Sequence, residues 1–345
     1  MWKLKKVGSS ILEQYANEML SSLYDRIVHG RTVNGHPVSL SPHDISVLIP
    51  HQGTPQEDKS ILKRLLILEP TESKDMNDTL MSQLIAGYDE SEFPQYLQEK
   101  NKRPATILNT KYYSKLETLR FLFNYDDQLS KNKSRSYWLT TVKGAEVCTY
   151  CNRQYTFTVT KVNNYGTDEY IARPELDHWL SKEMYPLLSL NFFNLIPSCH
   201  TCNSSTKGNL LFNATEYVHP YLQHDDNPAI TFIPILAPMI GGHFGVGISR
   251  IAGSKEDNTI KAFALDEVYE PHGVLEVEDI MNFNAAYSNR YISILFHQVL
   301  SNYCGSKSKA EVYRMLFGTE LNPEDFGKRP LSKLKYDILK YLKII

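Results

Sequence analysis

The sequence predicts an α+β protein, and two observations carry that prediction. Apolar residues recur at helical spacing through the first part of the chain, whereas the middle combines short strand-like pieces, turns and two Cys-x-x-Cys pairs. We therefore expect a helical N-terminal region at 1–140, a central module at 141–215, and a C-terminal α/β region at 216–345 that ends in helices. A hydrophobic fraction of 42% and a charged fraction of 22% exclude an intrinsically disordered chain.

The N-terminal region is predicted to consist of helices. Ser10 and Glu13 form a capping-box pattern, and apolar residues follow it at helical spacing. A later helix should carry Tyr113, Leu116 and Leu119 on one face. The further predicted helices begin at Thr54-Pro55, run through Leu80–Ile85, and extend from about Thr110 to Phe123.

The C-terminal region is predicted to change from strands to helices. The stretch 229–249 lacks Lys, Arg, Asp and Glu, but its prolines and glycines exclude a membrane helix and favour buried strands. Met1 to Lys6 lack the apolar core of a signal peptide, so we expect a cytoplasmic protein without a membrane partner. The predicted strands are Ile230–Ile248 and Ile260–Leu265, and the predicted helices are Val277–Asn302, Lys309–Phe317 and Leu331–Leu342.

The charge balance is compatible with two interpretations. A net charge of −2 does not favour a protein that coats DNA. Residues 101–147, however, carry nine lysines and arginines against four acids, and residues 328–343 carry six against one. These segments could follow a phosphate backbone locally, or they could be solvated faces of helices.

The two Cys-x-x-Cys pairs indicate a metal site. The pair Cys148 and Cys151 can supply two thiolate ligands to a zinc ion from a tight turn, and the pair Cys199 and Cys202 can supply two more to the same ion. Two such turns complete a tetrahedral site, and a four-cysteine site leaves no open coordination position, so its role should be structural. The alternative is four buried free thiols.

Polar motifs lie between and after the cysteine pairs. They are Glu175-Leu-Asp177-His178-Trp179, then Asn194-Leu-Ile-Pro, then Asn203-Ser-Ser-Thr-Lys207-Gly208. Their order, together with the cysteine pairs, resembles the HNH endonuclease family with its ββα-metal fold, over about residues 145–210. Asn203 stands where the family name has its final histidine. This is a known variant of the family and bears on the choice of metal.

The residue chemistry agrees with this resemblance. Hydrolysis of a phosphodiester needs an activated water, and His178 can take its proton as a general base. Asp177 and Asn203 offer hard oxygen ligands for a catalytic Mg²⁺ or Mn²⁺. Neighbouring residues of a strand point to opposite faces, so Asp177 and His178 can share a site only where the strand bends or ends.

Other residues have a functional and a plain interpretation. Asn194 matches the middle asparagine of the family, whose implied role is to orient the backbone around the catalytic histidine, but it could be a turn residue. Lys207 lies four residues after Asn203, so on a helix both share one face, and Lys207 could bind phosphate or be a solvated charge. Arg153 and Lys182 are further phosphate candidates, with surface charge the alternative.

The predicted function is hydrolysis of DNA with one divalent cation, for which the resemblance implies 5′-phosphate and 3′-hydroxyl products. The run from Arg173 to Cys199 is also similar to HNH proteins of bacterial anti-phage systems, including the nuclease component of Septu. That similarity implies an ATPase or other regulatory partner, and a homo-oligomer is compatible with it. The alternatives are a zinc-stabilised nucleic-acid-binding module without cleavage, and a ribonuclease or toxin of the same chemistry.

Overall fold

The fold mixes helices with short antiparallel strand pairs, which confirms the α+β class. The computed structural model describes residues 3–50, 60–164, 166–222, 230–236, 243–287, 291, 294 and 309–345. Among the residues described, no helix combines the length and apolar character needed to cross a bilayer.

The first part of the chain is mostly helical. The helix expected after Ser10 is confirmed, but it begins two residues earlier, at Ser9, and its N-cap is Gly8, so the predicted capping box is wrong. A capping box occurs instead at the second helix, where Ser41 and Asp44 bind each other's backbone amides. The helices are α1 (Ser9–His29), α2 (Pro42–Leu48), α3 (Ser60–Ile67), α4 (Pro70–Leu84), α5 (Phe93–Glu99), α6 (Ile107–Leu122) and α7 (Lys133–Lys143), and the hairpin β1 (Arg31–Val33) and β2 (His36–Val38) follows α1.

The predicted faces of these helices are mostly correct. The start predicted at Thr54 lies outside the described residues, although α3 is helical as expected. In α6, Leu116 and Leu119 are buried as predicted, but Tyr113 is 49% exposed. The aromatic residue of the buried face is Tyr112, because positions 112, 116 and 119 follow the i, i+4, i+7 spacing.

The central module contains two strand pairs and a helical segment. The strands are β3 (Val159–Val162), β4 (Asp168–Ala172), β5 (Glu175–His178) and β6 (Leu195–Ser198). β5 pairs with β6 in antiparallel register, so that Glu175 lies opposite Ser198 and His178 opposite Leu195. The helical segment Thr201–Lys207 has the wide π-type turn, ends at Gly208 with a positive φ of 46°, and contacts β5.

The C-terminal part starts with strands, as predicted; they pair antiparallel, but most of their residues are half-buried or exposed instead of buried. The helices predicted at Lys309–Phe317 and Leu331–Leu342 are confirmed. The strand predicted at Ile260–Leu265 is wrong, because Ser254 accepts a hydrogen bond from the Asp257 amide and starts a helix there. Most of 288–302 lies outside the described residues. The elements are β7 (Thr231–Leu236), β8 (Phe244–Ser249), α8 (Lys255–Ala262), α9 (Leu265–Tyr269), α10 (Glu278–Ala286), α11 (Lys309–Phe317) and α12 (Ser332–Tyr341).

Buried contacts hold the central module on both sides. The Tyr15 hydroxyl of α1 donates to the Leu190 carbonyl at 2.7 Å. On the other side, the Asn152 side-chain amide donates to the Phe326 carbonyl at 2.8 Å. One continuous apolar core joins residues of all three regions, so the position of the module is fixed by both of its neighbours.

Candidate metal centre and adjoining polar cavity

Four cysteines meet in one buried cluster. The sulfur atoms of Cys148, Cys151, Cys199 and Cys202 all lie within 4.8 Å of one another. A tetrahedral zinc site with Zn–S bonds of about 2.3 Å would place its sulfurs about 3.8 Å apart. The separation of 4.0 Å between the Cys151 and Cys199 sulfurs is close to that value, so the cluster could hold a metal such as zinc.

Each cysteine pair lies on a tight turn. The amide of Asn152 donates to the Cys148 carbonyl at 2.9 Å, and the amide of Asn203 donates to the Cys199 carbonyl at 3.1 Å. Asn152 has a left-handed φ of 50°, a conformation that asparagine tolerates better than most residues. The second turn leads directly into the Thr201–Lys207 segment, and the cysteine cluster therefore fixes the position from which Asn203 projects.

A polar cavity of about 730 Å³ lies beside the cysteine cluster. β5 ends at His178, and Asp177 and His178 both line this cavity, as a shared site requires. The lining brings together residues from β5, from the segment after the second cysteine pair and from the N-terminal helices; they include Tyr125, Arg173, Glu175, Asp177, His178, Lys182, Asn203 and Lys207.

His178 is held as a neutral imidazole. Its Nε2 lies 2.9 Å from the carbonyl oxygen of Ser189, which can only accept, so Nε2 carries the proton and Nδ1 is left as a base. The Tyr125 ring packs edge-on against the imidazole at 4.5 Å between centroids. Burial, helped by the charge of Lys182, lowers the pKa of His178 to about 3, so the ring stays uncharged at neutral pH.

Asn194 binds the loop that carries the hydrogen-bond acceptor of His178. Its Oδ1 accepts from the Leu180 amide at 2.7 Å, and its Nδ2 donates to the Leu180 and Leu188 carbonyls at 3.0 Å each. Asn194 is buried, and these bonds span the connection between β5 and β6 in which Ser189 lies. This is the contact pattern that the expected role of Asn194 requires.

Asp177 and Lys207 form a buried ion pair. Lys207 Nζ lies 2.9 Å from Asp177 Oδ1 and donates to the His178 carbonyl at 2.5 Å. The Tyr150 hydroxyl donates to Asp177 Oδ2 at 2.5 Å. Lys207 therefore neutralises the charge of Asp177 and is not a solvated charge. The structure pairs its ammonium group with a carboxylate, so the expected contact with phosphate is not supported. The residue spacing indicated the correct side of the helical segment but not its burial.

Asn203 and Glu175 form the second contact between the helical segment and β5. Asn203 Nδ2 donates to Glu175 Oε2 at 2.8 Å, so the amide oxygen of Asn203 remains as its possible cation ligand. Each Asp177 oxygen uses one lone pair in the bonds to Lys207 and Tyr150 and keeps another. A carboxylate oxygen and an amide oxygen are both ligand types that hard divalent cations such as Mg²⁺ and Mn²⁺ accept.

The two residues proposed to contact phosphate, Lys182 and Arg153, lie in different parts of the structure. Lys182 lines the cavity and pairs with Asp126 at 3.6 Å. Arg153 instead donates from Nε to His272 Nε2 at 2.9 Å and is not among the described residues that line the cavity. The interpretation of Arg153 as a residue outside the site is therefore favoured.

Arg173 and Tyr125 are among the cavity-lining residues to which sequence reasoning gave no individual role. Arg173 lies in the short connection between β4 and β5, two positions before Glu175, so its closeness in sequence to the Asp177-His178 motif was the available signal. Tyr125 comes from the N-terminal region, and no local pattern connects it with His178. Only the packing of the module against the N-terminal helices reveals its place.

The chain matches none of the protein-family models, curated proteins or solved structures with which it was compared. The resemblance to HNH endonucleases therefore rests on the motif residues themselves. The structure establishes a buried four-cysteine cluster and, beside it, a polar cavity lined by an imidazole, carboxylates and an amide.

Proposed function

We propose that this protein is a divalent-cation-dependent endonuclease of the HNH type that hydrolyses phosphodiester bonds in DNA. The observation that carries the proposal is the state of His178, whose Nε2 is committed to the Ser189 carbonyl. This leaves Nδ1 as the basic nitrogen of a residue that lines the same cavity as Asp177 and Asn203. A binding module has no need of such an imidazole.

In the proposed reaction, His178 Nδ1 accepts a proton from the water that attacks phosphorus. A new phosphorus–oxygen bond forms, the bond to the leaving oxygen breaks, and that oxygen takes up a proton from solvent. A divalent cation held by Asp177 and Asn203 would supply positive charge against the negative charge that develops on the phosphate. Burial lowers the pKa of His178, so the imidazole is unprotonated at neutral pH and its Nδ1 lone pair can accept a proton.

The surrounding residues hold this base in place. Ser189 fixes the tautomer, Asn194 fixes the loop that carries Ser189, and Tyr125 packs on the imidazole ring. We propose that the four thiolates hold one structural zinc. Its role would be to fix the turn before Asn203, since a closed four-cysteine site offers no open coordination position.

The cavity also offers positive charge for a phosphate backbone. Arg173 and Lys182 both line it, and the pair between Lys182 and Asp126, at 3.6 Å with both side chains over a third exposed, should exchange readily for a phosphate. The choice of DNA over RNA, a role in anti-phage defence and a regulatory ATPase partner belong to the proposal through the resemblance alone.

One observation favours a second candidate, a zinc-stabilised nucleic-acid-binding module without cleavage. Both oxygens of Asp177 already have partners, Lys207 and Tyr150, as they would in a purely structural ion pair. In that case Asp177 would tie β5 to the helical segment and would not bind a cation.

A cleavage assay separates the two candidates. Full-length protein with measured zinc content is incubated with supercoiled plasmid, linear DNA and RNA of the same sequence, with Mg²⁺, with Mn²⁺, and without added cation. We expect DNA to be cut only when a cation is added, and brief EDTA treatment to be reversed by added Mg²⁺. Binding of DNA in a gel-shift assay without cutting under any of these conditions would favour the second candidate and contradict the first.

A further inference from the structure

Glu175 links the second cysteine pair to the polar cavity. Its Oε2 accepts a hydrogen bond from Asn203 Nδ2 at 2.8 Å, and the Ser204 hydroxyl lies 3.5 Å from the same oxygen. Its Oε1 lies 2.7 Å from Nδ1 of His200, the residue that follows Cys199. All of these groups come from one turn and the start of the segment that it precedes.

The contact with Glu175 fixes which end of the Asn203 side-chain amide is turned away from Glu175. A side-chain amide has a donating nitrogen and an accepting oxygen, and only the oxygen can bind a cation. A carboxylate only accepts, so Glu175 can bind the nitrogen and not the oxygen of Asn203. Rotation of the amide by half a turn would place two oxygens against each other and expose the nitrogen.

We propose that Glu175 is a positioning residue that holds the amide oxygen of Asn203 toward the divalent cation. This inference rests on the proposed function, because it gives Asn203 the role of a cation ligand. It adds a residue that acts through Asn203 and does not itself bind the metal. Partners of metal ligands in other proteins are commonly worth 10- to 100-fold in metal affinity or activity.

The other contact of Glu175 supplies the matched control. The His200 side chain is 74% exposed, so its pair with Glu175 is screened by solvent and should contribute little. His200→Ala removes this contact and leaves the bond between Glu175 and Asn203 in place. The two oxygens of Glu175 can thus be tested separately.

The experiment measures Mn²⁺ affinity by electron paramagnetic resonance, on the zinc-loaded full chain without DNA. The variants are Glu175→Ala, Glu175→Gln, His200→Ala, Asn203→Ala and the double variant Glu175→Ala/Asn203→Ala. Zinc content and thermal unfolding are recorded for each, so that affinities are compared only between folded proteins.

We expect Glu175→Ala to weaken Mn²⁺ binding about 10- to 100-fold and His200→Ala to bind as the wild type does. Glu175→Gln keeps an oxygen that can accept from Asn203 and should retain most of the affinity. The double variant should bind no more weakly than Asn203→Ala, because Glu175 acts only through Asn203.

Three results would overturn this role. Wild-type affinity in Glu175→Ala would show that the contact does not matter. An equal loss in Glu175→Gln and Glu175→Ala would show that charge, and not orientation, is what counts. Additive losses in the double variant would make Glu175 a ligand in its own right. If the wild type itself neither binds Mn²⁺ nor cuts DNA, the proposed function fails; if it does both while Glu175→Ala is unchanged, only this inference fails.

Discussion

The four-cysteine cluster and the polar cavity are connected by one short turn, from Cys199 to Asn203, and they differ in the chemistry of their side chains. The cluster is buried and built of four thiolate-forming side chains of one type. The cavity is lined by an imidazole, carboxylates, an amide and lysines, and it holds about 730 Å³. Soft sulfur ligands suit a permanent metal, whereas oxygen ligands suit an exchangeable one.

This difference shows how a small module can place a rigid structural site next to a site with reactive side chains. The turn between Cys199 and Asn203 belongs to both sites, since one end provides a thiolate and the other an amide. A substitution that disrupts the cluster should therefore also disturb the cavity, whereas a substitution in the cavity should leave zinc binding by the cluster unchanged. Each of the following changes tests that asymmetry.

The largest expected effect is on the cluster. Cys199→Ser should lose bound zinc and lower the melting temperature by about 10 °C or more, because structural zinc contributes directly to folding free energy. His200→Ala, one residue further along and exposed, is the control and should keep both zinc and melting temperature. Elemental analysis and calorimetry provide the measurements, and full retention of stability in Cys199→Ser would contradict the structural role.

A smaller loss is expected when the ion pair between β5 and the helical segment is broken. Lys207→Met leaves Asp177 buried without its cation, which should cost about 3–5 kcal/mol of unfolding free energy. Lys161→Met breaks an exposed pair with Glu169 and should cost no more than about 1 kcal/mol. Urea titration compares the two, and equal losses would mean that the Asp177 pair is not a buried one. Zinc should remain bound in both variants.

The effect that is smallest at neutral pH, where it vanishes, concerns a histidine outside both sites and grows only as the solution is acidified. His219 is buried, its Nδ1 accepts from the Tyr221 amide, and burial followed by the charge of Lys143 lowers its pKa to about 3. Between pH 6.5 and about 3 the unfolded chain binds a proton here that the folded chain does not, so stability falls as the pH falls.

This contribution should reach about 1.4 kcal/mol per pH unit within that window. His219→Gln should therefore make the unfolding free energy less dependent on acid, whereas the exposed His36→Gln should leave the dependence unchanged. Denaturation at a series of pH values measures both. A steeper acid dependence in His219→Gln would show that the buried imidazole is protonated in the folded protein.

The sequence contained much of this arrangement because the important signals are local. The cysteine pairs, the Asp177-His178 dipeptide and Asn203 are each recognised from neighbouring residues, and the structure brings them together. The burial of Lys207 and the packing of Tyr125 on His178 depend on distant segments and could not be read from spacing. The wrong strand at Ile260–Leu265 has a local cause, because the helix cap at Ser254 outweighs the apolar content of that stretch.

The most direct test of the central claim is the rate of DNA cleavage by His178→Ala beside its melting temperature and zinc content. His178→Gln serves as a second variant that fills more of the imidazole space, and His200→Ala as the histidine control. We predict folded, zinc-containing His178 variants that bind DNA and cut it about 100- to 10,000-fold more slowly than the wild type. Cleavage at the wild-type rate by a folded His178 variant would contradict the account.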